Sequence, residues 1–150
     1  GLLAVVFPGA KFIHCRRNPI DNCFSIFKLS FADDQDYAHD LAALGHHYKL
    51  YEDMMATWKE MYPDRILDVH YEDTVADIEA QCIRLVEFLG LTFEPKMLEF
   101  YSSQRLVRTP SASQVRRPIY KSSVHAWKKF ERHLQPLISA LGTEEKRGLD

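Results

Sequence analysis

The sequence has no long hydrophobic run, and its most apolar stretch, residues 2–7, is short. No basic segment precedes this stretch, so it predicts neither a secretory signal peptide nor a membrane span. Internal repeats and low-complexity tracts are also missing. The 150 residues match the size of one globular domain. Because the chain starts at Gly1 without a methionine, we expect it to be part of a longer protein.

Cysteine is scarce, and the spacing of the cysteines suggests no paired motif. The three cysteines, Cys15, Cys23 and Cys82, form no CxxC motif, and their odd number excludes a disulfide framework. We therefore predict a reducing, cytoplasmic environment. The thiols are expected to act as small buried hydrophobic groups.

The net charge of −2 conceals an uneven distribution. Residues 105–132 contain eight basic residues and one acid, whereas residues 33–79 contain thirteen acids and three basic residues. A basic tract inside an acidic protein indicates a local anionic ligand rather than a nucleic acid. A solvated helix face is the alternative interpretation.

A strand, a turn and a helix are predicted at the start of the chain. Residues 11–15 have the β-branched and aromatic content of a short buried strand. Asn18 can cap the following helix, Pro19 suits its first position, and Asp21 favours its dipole. The helix is expected over residues 20–30.

The remaining chain alternates between helices and one further strand. The predicted elements are a long amphipathic helix from Tyr37, ended by Pro63; a strand at Ile66–His70; a helix begun by Thr74 with Asp77 and closed by Gly90; a short helix over residues 97–101; a loop over residues 105–120; and a last helix capped by Ser122 or Ser123. This alternation predicts an α/β fold with a parallel sheet. Two strands are too few for such a sheet, so preceding strands or a second copy of the chain must complete it.

The turn between the first strand and its helix carries the strongest chemical signal. It places Arg17 at the mouth of a helix whose N-terminal N–H groups are expected to be uncommitted, which is an anion site. Arginine suits phosphate because its planar fork donates two parallel hydrogen bonds. Ser25, two helical turns later, can add a hydroxyl donor. On this turn alone, surface arginines before an ordinary capped helix explain the pattern equally well.

Residues 15–25 resemble the R-x-P-x-D-x-x-x-S segment of sulfotransferases that use 3′-phosphoadenosine 5′-phosphosulfate (PAPS). The resemblance implies that Arg17 and Ser25 bind the 3′-phosphate of the nucleotide. Residues 69–73 are similar to the Y-E-D segment of the same family, which implies that Tyr71 contacts the adenine.

A third segment, residues 111–127, is similar to the Q-V-x-x-P-I-Y-x-S-S-V-x-x-W stretch of bacterial sulfotransferases linked to tetratricopeptide repeats, and distantly to tyrosylprotein sulfotransferases. In those relatives the segment folds over the nucleotide. The resemblance therefore implies four further contacts with the nucleotide: Ser111, Gln114, Arg116 and Lys121.

Two features depart from the family pattern. His125 and Ala126 stand where relatives commonly carry Gly-Arg, so Lys128 or Lys129 would have to replace a phosphate donor. In addition, the P-R-S-G-T-T loop that binds the 5′-phosphosulfate has no counterpart, and neither has the upstream catalytic base. We assign no catalytic residue and no metal ligand, because the histidines fit packed positions or lack partners at metal-ligand spacing.

The resemblance implies a P-loop NTPase-like, three-layer α/β fold, helix-rich and with an incomplete parallel sheet, of which residues 1–150 form the C-terminal part. The predicted activity of the parent protein is sulfuryl transfer from PAPS to an acceptor hydroxyl or amine. Two alternatives stay open: a non-catalytic module that binds 3′,5′-phosphoadenosine (PAP) or an inert folded piece, and another P-loop nucleotide enzyme. The acceptor is not predictable, and neither nucleic acid nor membrane is expected as a partner.

Overall fold

The computed structural model of the chain describes residues 1–29, 35–102 and 116–142. The α-helices are α1 (Leu2–Val6), α2 (Pro19–Lys28), α3 (Leu41–Met61), α4 (Tyr71–Ala76), α5 (Ile78–Leu89) and α6 (Gln135–Ala140). The strands are β1 (Phe12–Arg16) and β2 (Ile66–His70), and 3-10 helices cover Asp36–His39, Pro95–Ser102 and Ala126–His133. No helix in these ranges is both long enough and apolar enough to cross a membrane.

The two strands form a parallel sheet, as the alternation of elements predicts. Phe12 lies opposite Ile66 and Arg16 lies opposite His70. The first strand is displaced by one residue toward the C-terminus from its predicted position, and the second agrees with the prediction. The described residues thus combine many helices with one two-stranded parallel sheet, an α/β arrangement.

The start of α2 confirms the predicted cap. The Asn18 Oδ1 atom accepts hydrogen bonds from the N–H groups of Ile20 and Asp21, each at 3.1 Å, and Pro19 occupies the first helical position. This local chemistry fixes the direction in which the chain leaves β1.

Two other predicted helix starts were wrong. The long helix does not begin at Tyr37, because the extended backbone of Asp40 separates a 3-10 turn from α3, which the Asp40 side chain caps through Ala43 N–H at 2.7 Å. Thr74 begins no helix, since its hydroxyl donates to the His70 carbonyl inside α4; Asp77 caps α5 instead, accepting from Ala80 N–H at 2.9 Å.

The C-terminal boundaries show a mixed outcome. Gly90 ends α5 with φ of 73°, which confirms the predicted left-handed cap. The predicted serine cap of the last helix was wrong. The residue before the 3-10 helix Ala126–His133 is His125, and its side chain makes no hydrogen bond to the start of that helix. The short helix predicted near residue 97 is the 3-10 helix Pro95–Ser102.

The main hydrophobic core lies among helices rather than on the sheet. It joins α2, α3, the 3-10 helix Ala126–His133 and α6, through Ile20, Cys23, Phe24, Leu44, Tyr48, Trp127, Leu134, Leu137, Ile138 and Leu141. The strand residues are only half-buried or exposed. The C-terminal helices are thus packed against α2, the helix that follows Arg17.

The cysteines only partly behave as buried hydrophobic groups. Cys23 is fully buried in this core, and burial, with a smaller contribution from Glu52, raises the pKa of its thiol to about 12. Cys82 is partly buried, whereas Cys15 is exposed, so the prediction was wrong for Cys15. The reason is the alternation of β1, which turns Cys15 away from the face that carries half-buried His14 and Arg16.

His125 has an uncommon backbone conformation, with φ of 53° and ψ of 28°. A residue with a side chain is disfavoured there, and the resembled family segment has glycine at this position. We predict that His125→Gly raises the free energy of unfolding by about 0.5–1 kcal/mol in urea titrations. Ala126→Gly, one residue later in the 3-10 helix, should lower it by a similar amount. A lower free energy of unfolding in His125→Gly would contradict the claim that the backbone at His125 is strained.

Candidate functional site

Arg17 occupies the turn between β1 and α2, where its side chain makes contacts with three segments. Its Nη2 atom donates to the Ser123 carbonyl at 2.6 Å and lies 3.9 Å from the Asp21 carboxylate. The guanidinium carbon lies 5.1 Å from the centre of the Tyr71 ring, which is a cation–π distance. Its Nε atom is buried and makes no hydrogen bond within the described ranges.

The helix N-terminus itself offers fewer donors than predicted. The N–H groups of Ile20 and Asp21 are taken by the Asn18 side chain, and Pro19 has none. The Asn18 N–H donates to Glu72 Oε1 at 2.8 Å. The expectation of uncommitted backbone N–H groups was therefore wrong, because the cap that starts the helix uses them. An anion at this turn would rely on the Arg17 guanidinium.

A cavity of about 220 Å³ opens beside Arg17. Its lining residues come from the turn after β1, from α4, from the 3-10 helix Pro95–Ser102 and from the segment before Trp127: Arg17, Tyr71, Val75, Phe100, Arg117, Pro118, Ile119, Tyr120 and Ser123. The structure thus brings together residues from the three segments that the sequence singled out. Two guanidinium groups and two tyrosine rings line one concave surface, an arrangement that suits a ligand with a phosphate and a flat ring.

The other predicted site residues lie elsewhere. Ser25 is half-buried on α2 and does not line the cavity. Arg116 and Lys121 are exposed and also lie outside the lining, whereas the neighbouring Arg117 belongs to it. Ser111 and Gln114 fall outside the described residues.

The suggested replacement donors do not reach the cavity either. Lys128 and Lys129 line a separate exposed depression on the 3-10 helix Ala126–His133, together with Arg132. The donor that the family's Gly-Arg pair would supply is therefore not replaced by these lysines in the cavity beside Arg17. Arg117 is the second arginine there.

Sequence reasoning missed two acids that organise the site. Asp21 is 1% exposed, and its Oδ1 atom accepts the Trp127 backbone N–H at 2.9 Å. Glu72 holds the turn through Asn18 N–H. Asp21 was interpreted only through the helix dipole, although an acid four residues after an arginine could have suggested their pairing. Its link to Trp127 spans 106 positions, and nothing local signals it.

Comparison with known proteins shows the family to which this chain belongs. Residues 1–95, more than half of the chain, match the sulfotransferase family. The chain belongs to the sulfotransferase family. It is also similar to an uncharacterized protein of Aquifex aeolicus (strain VF5), with 35% identity over 144 residues, which is 94% of this chain and 19% of that protein. The chain thus spans about a fifth of the length of that relative.

The sulfotransferase match includes the turn with Arg17 and the start of α4 with Tyr71, and it ends before the segment with Arg117 and Ser123. Family membership supports a sulfotransferase-type function for the domain.

A second polar cluster lies on the half-buried face of the sheet, against α3. The Asp68 carboxylate lies 2.7 Å from His14 Nδ1, 2.5 Å from Lys59 Nζ and 3.5 Å from Arg16 Nη1. His14 Nε2 contacts the Tyr51 hydroxyl. The prediction that the histidines fit packed positions is confirmed for His14, which is half-buried and hydrogen-bonded on β1.

The shifted pKa of Asp68 predicts how the stability of the fold depends on pH. Burial alone would raise this pKa, but the hydrogen bonds from Lys59 and His14 outweigh it and lower the pKa below the ordinary value. The folded pKa lies below the unfolded one, so Asp68 stabilises the fold above the unfolded pKa of about 3.9. That contribution should disappear as the pH falls through the folded pKa.

We predict that Asp68→Asn removes this part of the acid dependence. Urea titrations between about pH 5 and pH 2 should show a flatter loss of stability in the variant than in the unsubstituted chain. Asp64→Asn, on the exposed turn before β2, is the matched control and should keep the original slope. Identical slopes for all three proteins would contradict the role of Asp68.

Proposed function

We propose that this chain binds the nucleotide portion of PAPS and of its product PAP, as the C-terminal part of a P-loop-like sulfotransferase domain in the cytoplasm. In this proposal Arg17 binds the 3′-phosphate, and Tyr71 packs against the adenine. Ser25 lies outside the cavity lining and is proposed as a second phosphate donor on the family resemblance alone. The segment that contains Arg116, Arg117 and Lys121 closes over the nucleotide, together with Ser111 and Gln114. The parent protein transfers the sulfuryl group to an acceptor hydroxyl or amine.

The observation that carries the proposal is the position of Arg17 in the cavity. Its guanidinium lies over the Tyr71 ring, faces the segment with Ser123, and keeps a buried Nε atom that makes no hydrogen bond within the described ranges. Because Arg17 lines the cavity, a phosphate bound there can accept from its guanidinium fork. A purine adds the flat surface that Tyr71 and Tyr120 can contact.

In the parent reaction, the acceptor oxygen or nitrogen forms a bond to sulfur while the bond from sulfur to the 5′-phosphate oxygen breaks. The acceptor proton passes to a base, and PAP leaves with its negative charge. Positioning the two partners and stabilising that charge are the main catalytic demands, as in phosphoryl transfer. The residues named here bind and orient the nucleotide, and we assign the base to none of them.

Isothermal titration calorimetry with PAP and with 5′-AMP tests the proposal. Because the two ligands differ only in the 3′-phosphate, we expect PAP to bind about 100-fold more tightly. Equal affinity would show that the chain has no 3′-phosphate site. Absence of binding by both nucleotides would favour an inert folded piece.

The neighbouring arginines Arg116 and Arg117 provide a matched pair for the closing segment. Arg117 lines the cavity and Arg116 does not. We predict that Arg117→Ala weakens PAP binding about tenfold, since it removes a charge-assisted donor, whereas Arg116→Ala changes it less than about threefold. Calorimetry of both variants checks this difference. A larger loss in Arg116→Ala would restore the assignment made from the sequence.

A further inference from the structure

Helix α3 carries apolar side chains on two of its sides. The inner side packs into the main core through Leu44 and Tyr48. The outer side carries Leu50, Met54 and Met61, whose exposed fractions are 67%, 55% and 57%. A helix at the surface of a globular protein normally turns one apolar face inward and keeps the opposite face polar. The outer side of α3 is therefore an apolar face that no described residue covers.

The exposed residues of this face form one stripe along the helix, which we call the outer stripe. Steps of four, three and four residues separate its members, Leu50, Met54, Thr57 and Met61, all of which are exposed. This is the spacing of the a and d positions of a coiled coil, and it keeps the side chains in line over about three helical turns. The outer stripe therefore suits a second helix that lies along α3, because apolar residues at the same spacing can interdigitate with it.

Acidic side chains flank one side of the outer stripe. Asp53 and Glu60 lie seven residues apart, and each precedes a residue of the stripe by one position. Both are exposed, and neither forms an ion pair with another described residue. The basic residues of this part of α3 are engaged, since Lys49 and Lys59 each pair with a different carboxylate. The flank is therefore negative, and its two charges are available to a partner.

These charges indicate which kind of helix fits the outer stripe. Two antiparallel copies of α3 would place one acidic flank against the other, so their carboxylates would repel. Two parallel copies would place the acidic flank opposite the side that carries Trp58, which has no charge. A second copy of the chain thus gains no ion pair. A helix with basic residues seven positions apart, beside its own apolar stripe, can pair with both Asp53 and Glu60.

We propose that the outer stripe is a docking surface for an amphipathic helix of a partner protein. The partner helix carries apolar residues at coiled-coil spacing and basic residues opposite Asp53 and Glu60. No residue of the outer stripe lines the cavity beside Arg17, so the docking surface is separate from the nucleotide site. The proposal concerns binding of a helix and does not rest on the proposed nucleotide function.

Three synthetic peptides of about three heptads serve as probes. The first has leucine at positions a and d and lysine at positions e and g, the second has glutamate in place of lysine, and the third is a scrambled form of the first with the same composition. Like charges at e and g keep each of the first two peptides from pairing with itself. NMR titration of the 15N-labelled chain measures the affinity for each peptide and shows which residues respond.

The lysine peptide should bind with a Kd on the order of 100 μM, because a contact of about three helical turns must also order the peptide. The amide signals that shift should include those of the outer stripe. The glutamate peptide and the scrambled peptide should bind at least about tenfold more weakly, since one meets like charges and the other lacks the apolar stripe. Raising the salt concentration from about 50 mM to about 500 mM should weaken binding of the lysine peptide about threefold.

Two leucine substitutions form a matched pair. Leu50 and Leu91 are both exposed, but Leu91 follows α5 and does not belong to α3. Leu50→Lys should weaken binding of the lysine peptide more than about tenfold, whereas Leu91→Lys should change it less than about twofold. A chain with both Asp53→Lys and Glu60→Lys should reverse the preference and bind the glutamate peptide more tightly than the lysine peptide. Unfolding cannot produce such a reversal.

Several results would overturn the proposal. Equal binding of the lysine peptide and its scrambled form would reduce the contact to general charge attraction, and equal binding of the glutamate peptide would show that the acidic flank selects no partner. Equal losses in Leu50→Lys and Leu91→Lys would place the contact outside the outer stripe. A dimer of the chain in analytical ultracentrifugation that Leu50→Lys abolishes would assign the stripe to a second copy. Absence of binding by all three peptides at about 1 mM would refute the docking surface itself.

Discussion

Replacing Arg17 by alanine should weaken PAP binding about 100-fold and leave 5′-AMP binding within about threefold. The substitution removes the guanidinium that lies over Tyr71 and faces the segment with Ser123. Its effect on the 3′-phosphorylated nucleotide should be the largest of any single substitution, because the α2 N-terminus has already used its nearby N–H groups on Asn18 and Glu72. Calorimetric titration of both nucleotides measures the two affinities.

The adjacent arginine supplies the control for this prediction. Arg16 belongs to the polar cluster around Asp68 and does not line the cavity beside Arg17. Arg16→Ala should therefore retain the preference for PAP. Arg17→Lys should recover only part of the affinity, since an ammonium group lacks the planar fork. Comparable losses of PAP and 5′-AMP binding in Arg17→Ala would mean that the substitution damages the cavity in general, and would argue against a phosphate contact.

Replacing Asp21 by alanine should lower the free energy of unfolding by about 2–4 kcal/mol. The Asp21 carboxylate is buried, accepts the Trp127 N–H at 2.9 Å and lies 3.9 Å from Arg17. Its truncation removes the carboxylate that accepts the buried Trp127 N–H and removes an anion beside a partly buried guanidinium. Urea unfolding followed by circular dichroism provides the measurement.

Two further variants make the Asp21 prediction specific. Asp21→Asn keeps an oxygen that can accept from Trp127, so it should cost less than the alanine variant. Asp53→Ala, at an exposed position of α3, should change stability by less than about 0.5 kcal/mol. If Asp21→Ala and Asp53→Ala were equally stable, the buried carboxylate would not connect α2 to the C-terminal segment.

Local sequence chemistry predicted the local structure of the site. The strand, the Asn18 cap and Pro19 are encoded within a few residues, and the structure confirms them. The same cap explains why the expected anion site was partly wrong. A side chain that caps a helix accepts from the N–H groups that would otherwise bind an anion, so both predictions could not hold at full strength.

Contacts between distant segments were beyond the reach of sequence periodicity. The pairing of Asp21 with Trp127 and of Asn18 with Glu72 depends on how the helices pack, and no spacing rule indicates it. Nor could periodicity distinguish Arg117 from Arg116 in a segment without a regular element. The sequence did not predict that one core joins several helices, because periodicity shows only that each helix has an apolar face and not which faces pack together.

A crystal structure of the chain with PAP would test the central claim most directly. We predict that an oxygen of the 3′-phosphate lies about 3 Å from the Arg17 guanidinium, with the adenine against Tyr71 and the segment from Arg117 to Ser123 over the nucleotide. A nucleotide whose phosphates contact the exposed lysines Lys128 and Lys129, with Arg17 still bound only to protein atoms, would contradict it.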